Sequence, residues 1–266
     1  MRPDVILWDW NGTLLDDARL GLDALNRLLA RFGYDRRYDM DTYRKIFGFP
    51  VEEYYLRAGM DFSRHPFPVL AESYMADYIP SAEACTLAPD ARDVLQAFSD
   101  AGLRQVILSA SPVDLLEQQV GRRGVRPYFD RLLGLGDIYA KSKVDLGLNY
   151  LQESGLDPAC AVMIGDTVHD FEVAEAMGVA CVLQSAGHQD AETLAATGAP
   201  VFPNPERGCR LHSGPGVILP RKRCFDKKIC LSTPAQGLTQ TLARVYYIGV
   251  YHFLHTTKPT AFGRQK

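Results

Sequence analysis

Short apolar runs and helical apolar stripes alternate along the first two hundred residues of this chain. Val5-Ile6-Leu7-Trp8 is a run of strand formers closed by Asp9 and by a turn that contains Gly12 and Thr13. A run of this kind reads as a buried parallel strand delivering one carboxylate to the carboxyl edge of a sheet. Comparable runs predict strands over residues 105–108, 131–133, 161–164, 180–183 and 200–202. Helical spacing predicts helices over 91–101, 113–120, 144–153, 171–177 and 191–196, with Gly102, Gly155 and Gly178 as stops. Strands alternating with helices of this length imply an α/β fold with a Rossmann-like parallel sheet and right-handed crossovers.

Residues 14–85 break the alternation. Leu20, Leu22, Leu25, Leu28 and Leu29 repeat at helical spacing and stop at Gly33. Further helical patterns cover 40–46, 51–58 and 68–79, and no strand pattern intervenes. Four helices between one strand and the next look like an inserted small α-helical domain rather than a crossover. The expected organisation is therefore a core from 1–15 and 86–203, a helical insert over 16–85, and a tail from 204–266.

Composition agrees with a globular body. Hydrophobic residues make up 47% and charged residues 23% of the 266, which leaves ample apolar material for a core. No apolar run approaches the roughly 20 residues that span a bilayer, and the start shows no leader-like pattern. A cytoplasmic enzyme, monomer or homodimer, with no membrane partner is the expectation. The six cysteines show no Cys-x-x-Cys spacing, which argues against structural zinc and a disulfide framework.

The net charge of −3 conceals two unlike parts. From Glu206 onward eleven Lys or Arg face two acids, a balance of +9, whereas residues 1–205 carry −12. Arg221-Lys222-Arg223 and Lys227-Lys228 fit an anionic nucleic-acid or membrane surface. A solvated basic tail, irregular or disordered, is the simpler expectation, with no nucleic acid as partner. A further reading is that this stretch is not native coding sequence.

Chemistry-bearing residues gather at the carboxyl ends of the predicted strands, where open α/β sheets place their ligand sites. Asp9 closes the first strand. Ser109, Ala110 and Ser111 follow the second, Lys141-Ser142-Lys143-Val144 the third, and Gly165-Asp166-Thr167-Val168-His169-Asp170 the fourth. Each has a plainer reading: Asp9 as a turn residue, the serines as strand ends or helix caps, the lysines as solvated surface. Asp166 and Asp170 share one face of a helical first turn. There they suit both the helix dipole and a hard cation such as magnesium. His169, between them, is expected to face away.

In order and spacing these four segments resemble the haloacid dehalogenase-like (HAD) hydrolase superfamily, specifically its phosphoglycolate-phosphatase-like subgroup, over about residues 4–203. The first motif of that family is Asp-x-Asp-x-Thr, and here it reads Asp9-Trp10-Asn11-Gly12-Thr13. The resemblance implies a magnesium-dependent phosphatase acting on a small phosphorylated metabolite. Asp9 would be the nucleophile that forms an aspartyl-phosphate. Asp9, the backbone carbonyl of Asn11, Asp166 and Asp170 would hold Mg2+. Thr13, Ser109, the Ala110 N–H and Lys143 would bind the phosphoryl group, with Ser111 and Lys141 as the alternatives. The helical insert would be a cap over the site, its Arg44, Lys45, Phe47 and Gly48 placed to select substrate. Arg44 could then grip a carboxylate with two hydrogen bonds.

Asn11 departs from the pattern. The family's second aspartate moves the proton to the leaving oxygen, and an amide cannot. Such a group gives roughly 10²–10⁴-fold in rate. Three consequences stand open: a slower phosphatase, a proton from elsewhere in the insert, or a related chemistry. Phosphonoacetaldehyde hydrolases share the Trp at this motif but need a cap lysine for a Schiff base, and the only one within 14–85 is Lys45. A phosphate-binding protein with weakened turnover is the remaining alternative.

Overall fold

The structure, a computed structural model, describes residues 3–136 and 142–202. Lys141 and the basic tail from 204 lie outside the described residues. Six strands form one parallel sheet: β1 (Val5–Trp8), β2 (Arg104–Pro112), β3 (Arg131–Leu135), β4 (Ala161–Gly165), β5 (Ala180–Gln184) and β6 (Val201–Phe202). Their order is β3-β2-β1-β4-β5-β6. The chain runs outward from β1 to β3, returns to β4 beside β1, and runs outward again. The direction therefore reverses between β1 and β4, and a crevice opens there at the strands' carboxyl ends.

Strand alternation explains the two core layers. Ile6 and Trp8 of β1 face one side with Ile107, Val162 and Ile164, and pack on Leu95 and Phe98 of α5 (Ala91–Asp100) and Leu116 of α6 (Val113–Arg122). Val5 and Leu7 face the other side with Val106 and Met163, against α7 (Lys143–Ser154) and α8 (Val168–Met177). Central parallel strands buried on both faces need continuous apolar runs, so the strand pattern was easy to read. α9 (Ala191–Ala195) completes the set, numbered after the four helices of the insert.

Those four helices join β1 to the rest: α1 (Ala18–Arg31), α2 (Met40–Ile46), α3 (Val51–Arg57) and α4 (Phe67–Ala82). They enclose an apolar cluster of their own around Leu25, Leu29, Tyr43, Tyr55 and Leu70, each fully buried or nearly so. Two expectations shift in detail. α4 continues past 79 through Pro80. β2 runs on to Pro112, with its register to β3 broken between Leu108 and Pro112, so Ser109 to Ser111 lie in an irregular extended segment. No helix of the described residues is long and apolar enough to cross a membrane.

Candidate active site

The end of β1 sets Asp9 in the crevice. Its backbone N–H donates to the Ile164 carbonyl at 2.8 Å, which ties it to the neighbouring strand. Gly12, at φ +73°, turns the chain back immediately afterwards. A side chain there would adopt a disfavoured conformation and collide with the Asp166 carboxylate and the His188 ring.

Lys143 is the first residue of α7, whose start is fixed by Ser142 accepting from the Asp145 N–H at 3.1 Å. That aims the buried ammonium at the sheet edge. Its Nζ donates to Asp9 Oδ1 and to Asp170 Oδ1, each at 2.6 Å. Asp170 is positioned by a capping box: its Oδ2 accepts from the Thr167 N–H at 3.0 Å, and Thr167 Oγ1 accepts from the Asp170 N–H at 3.3 Å. Asp166 Oδ1 accepts from the Thr13 hydroxyl at 2.9 Å, and its Oδ2 accepts from the His188 N–H at 2.6 Å.

Asp9, Asp166 and Asp170 are all buried and offer oxygens within 4.8 Å of one another. Burial pushes the Asp9 carboxyl upward, Lys143 opposes this, and Asp170 and Asp166 add to the rise. Burial also raises Asp166, against the pull of His188. Asp170 moves the other way, because Lys143 and Thr167 overcome its burial. Burial works against the Lys143 charge too, but Asp170 and Asp9 more than offset it, so the ammonium is held well above its ordinary value. Lys143 thus pairs with Asp9 and Asp170, while the cationic group acting on Asp166 is His188, which Asp17 also faces. The site is short of positive charge, and its donors are hard oxygens, so the residues present fit a magnesium ion.

Asn11 sits beside this cluster with its amide fully engaged. Nδ2 donates to Asp17 Oδ2 and to the Tyr78 hydroxyl, both at 2.9 Å, while Oδ1 accepts from the Ser111 hydroxyl at 2.8 Å. Ser111 is therefore a partner of Asn11 and not the cap of α6. Ser109 lies in the cavity wall, its Oγ accepting from the Ser111 N–H at 3.1 Å, and Ala110 lines the same wall.

Several groups that sequence reasoning passed over complete the surroundings. Asp17 precedes α1 without capping it. Its carboxylate accepts from the Gly12 N–H at 2.6 Å, from Tyr78, and from His188 Nε2 at 3.3 Å. His188 Nδ1 is 2.7 Å from the Tyr43 hydroxyl. Burial works against the His188 charge, yet Asp17 more than offsets this and raises it to about 9. His188 in turn overcomes the burial of Asp17 and lowers its carboxyl. The signal was available: Gln184, Ser185, His188 and Gln189 are polar residues at and just beyond the end of an apolar strand, the rule that found the other four segments.

Three expected roles change. Arg44 is buried with Nε on the Gly187 carbonyl at 2.8 Å and a terminal nitrogen on the Ala186 carbonyl at 2.5 Å. It ties α2 to the loop after β5 and is absent from the cavity wall. Thr13 directs its hydroxyl to Asp166 and is also absent from that wall. His169, expected to face away, lines the cavity with its ring 4.6 Å from that of Phe49.

The cavity itself has a volume of about 380 Å³ and lies between the sheet edge and α2 to α4. Asp9, Asn11, Ser109, Lys143, Asp166 and Asp170 form its polar side. A second recess, of about 520 Å³ near Cys85 and Arg123, holds none of these groups.

A family model described as haloacid dehalogenase-like hydrolase matches residues 6–184, from β1 to the end of β5. The chain belongs to this family. Relatives of this haloacid dehalogenase-like hydrolase include the phosphoglycolate phosphatase of Pseudomonas putida, 25% identical over 189 residues, which make up 68% of each chain. That of Caulobacter vibrioides is 28% identical over 201 residues, covering 72% of this chain and 84% of the relative. A haloacid dehalogenase-like hydrolase of Streptococcus pneumoniae has the same fold, with a TM-score of 0.65 at 21% identity, over 76% of this chain and 93% of that one. A Clostridium acetobutylicum protein described as a predicted phosphatase also shares it, with a TM-score of 0.65 at 20% identity, over 79% of this chain and 97% of that one.

Proposed function

We propose that this hydrolase is a magnesium-dependent phosphatase that cleaves a phosphate monoester of a small metabolite through an aspartyl-phosphate on Asp9. The observation that carries the reading is Asp9 at the end of β1, 2.6 Å from a buried lysine and grouped with two further carboxylates. An oxygen of Asp9 forms a bond to phosphorus as the bond to the leaving oxygen breaks. Water then adds to phosphorus, freeing the carboxylate and inorganic phosphate. Lys143 counters the upward push of burial on Asp9 and would offset charge on the phosphoryl oxygens. Ser109 and Ala110 line the wall and would hold that group through the hydroxyl and the backbone N–H. Asp9, Asp166, Asp170 and the Asn11 carbonyl would hold the magnesium ion, whose charge reduces the repulsion between carboxylate and phosphate. The four helices over residues 16–85 act in this reading as a cap that excludes water.

The relatives' names point to phosphoglycolate, which makes it the first ester to assay. The phosphonate alternative needs an amine in the cavity besides Lys143. Lys45 is exposed and does not line it, so the monoester reading stands ahead. The test is a screen of phosphate esters with and without magnesium, using Asp9→Asn as the blank. Magnesium-dependent turnover in the wild type that falls to background in the blank is expected. Turnover surviving in Asp9→Asn removes the covalent mechanism.

A further inference from the structure

The helices over the site carry nine Lys and Arg residues between 16 and 85, and none lines the cavity. Arg44 is bound to the carbonyls of Ala186 and Gly187, Arg57 to the Ile46 carbonyl and Arg27 to Asp77. The helical wall is instead aromatic and apolar, with Phe47, Phe49, Tyr54, Tyr55, Tyr74 and Met75 all facing the cavity. A second anionic group on a substrate would be desolvated against rings with no cation to meet it, which is costly. His188 does not supply that charge, because its ring nitrogens already face the Asp17 carboxylate and the Tyr43 hydroxyl. His169 has Glu172 at 3.5 Å.

The cavity volume of about 380 Å³ lies within the range of pockets that enclose small organic ligands. A two-carbon acid would leave much of the aromatic wall uncovered.

Asn11 points the same way by chemistry. Its amide cannot protonate a leaving oxygen. A phenolic oxygen, with a pKa near about 10, departs unprotonated far more readily than an alkanol oxygen does.

We infer that the ester bound here has an apolar, aromatic body: an aryl phosphate rather than a phosphorylated carboxylic acid. This rests on the phosphatase reading above. An Asp9 oxygen bonds to phosphorus while the phosphorus–aryl oxygen bond breaks, its electron pair leaving on the phenolate, which solvent protonates. Water then displaces the Asp9 carboxylate from phosphorus and passes one proton to solvent, leaving hydrogen phosphate.

The experiment measures kcat/KM with magnesium for phenyl phosphate and phosphoglycolate, in wild type, Phe49→Ala and Asp9→Asn. Phe49 is 37% exposed, so Phe49→Ala is expected to retain the fold, and its urea midpoint is compared with that of the wild type. Phenyl phosphate is expected to exceed phosphoglycolate by at least about tenfold, roughly the value of one well-placed aromatic contact. Phe49→Ala should shrink that margin several-fold. Preference for phosphoglycolate, with Asp9-dependent turnover, overturns the inference and leaves the phosphatase reading intact. An aryl preference untouched by Phe49→Ala overturns the assignment of the wall, since leaving-group acidity alone then explains it. No Asp9-dependent turnover of any ester overturns the phosphatase reading and this inference with it.

Discussion

The Asn11 amide donates to the Asp17 carboxylate at 2.9 Å, inside the turn that links β1 to α1. Only a donor can occupy this place, because Asp17 also accepts from Gly12, Tyr78 and His188. An aspartate at position 11 would set two carboxylates face to face in a buried site. The amide is therefore built into its surroundings, and the departure at the first motif is matched by a carboxylate six residues later.

Asn11→Asp should accordingly destabilise the protein by about 1–3 kcal/mol, the cost of a lost hydrogen bond in a buried polar group. The exchange Asn11→Asp with Asp17→Asn restores a donor and an acceptor with their places reversed. Urea unfolding of both singles and the double forms a cycle, and a favourable coupling of about 1–3 kcal/mol is expected. Additive effects would show that the two side chains do not depend on each other.

This pairing illustrates what was legible in the sequence. Asp9, Ser109, Lys143, Asp166 and Asp170 could be read because each follows a strand or opens a helix, so local pattern places it at the sheet edge. Asp17 and His188 are 171 positions apart, and their partnership exists only once β5 lies beside β4. Asp17 stands just before α1 without capping it, because its carboxylate turns to Gly12, Tyr78 and His188. The resemblance puts Arg44 where caps present specificity residues, and a guanidinium there can grip a carboxylate with two hydrogen bonds. The structure gives it two backbone carbonyls, which carry no residue-specific signature. The fold was more legible than the site because two-sided burial of β1, β4 and β5 leaves continuous apolar runs.

Arg44 makes a prediction of its own. It joins α2 to the loop that positions His188, through two charge-assisted bonds in a buried setting. Arg44→Ala should cost about 2–3 kcal/mol and raise KM for any ester through loosening of that loop. Arg44→Lys has one nitrogen in place of a fork and should recover only part of the loss. A wild-type urea midpoint in Arg44→Ala would show that the contact carries no stability.

Gly12 should tolerate no side chain. Gly12→Ala meets both an unfavourable φ of +73° and the Asp166 carboxylate. The conformational part alone costs about 1–2 kcal/mol. The collision shifts a carboxylate of the acidic cluster, so magnesium-dependent turnover should fall further than stability does. Equal proportional losses, compared by unfolding and by kcat at saturating magnesium, would place the effect on folding alone.

Asp9, Asp166 and Asp170 are gathered by folding, and Lys143 pairs with only the first and last, so the folded protein should bind magnesium more tightly than the unfolded chain, where these acids are far apart. Binding to the folded state alone stabilises by about 2.7 kcal/mol at a hundredfold excess over Kd. Thermal or urea unfolding should thus shift upward with magnesium chloride and return with chelator. Asp166→Asn removes one hard oxygen charge while keeping the Thr13 contact available, and should abolish most of that shift. Lys143→Met leaves Asp9 and Asp170 without their shared cation and should lower stability without magnesium by about 3–5 kcal/mol, the range for breaking a buried pair. Because the ion would then be the remaining positive charge in the cluster, the magnesium-induced shift should be larger in Lys143→Met than in wild type. Equal shifts in wild type, Asp166→Asn and Lys143→Met would place magnesium elsewhere on the protein.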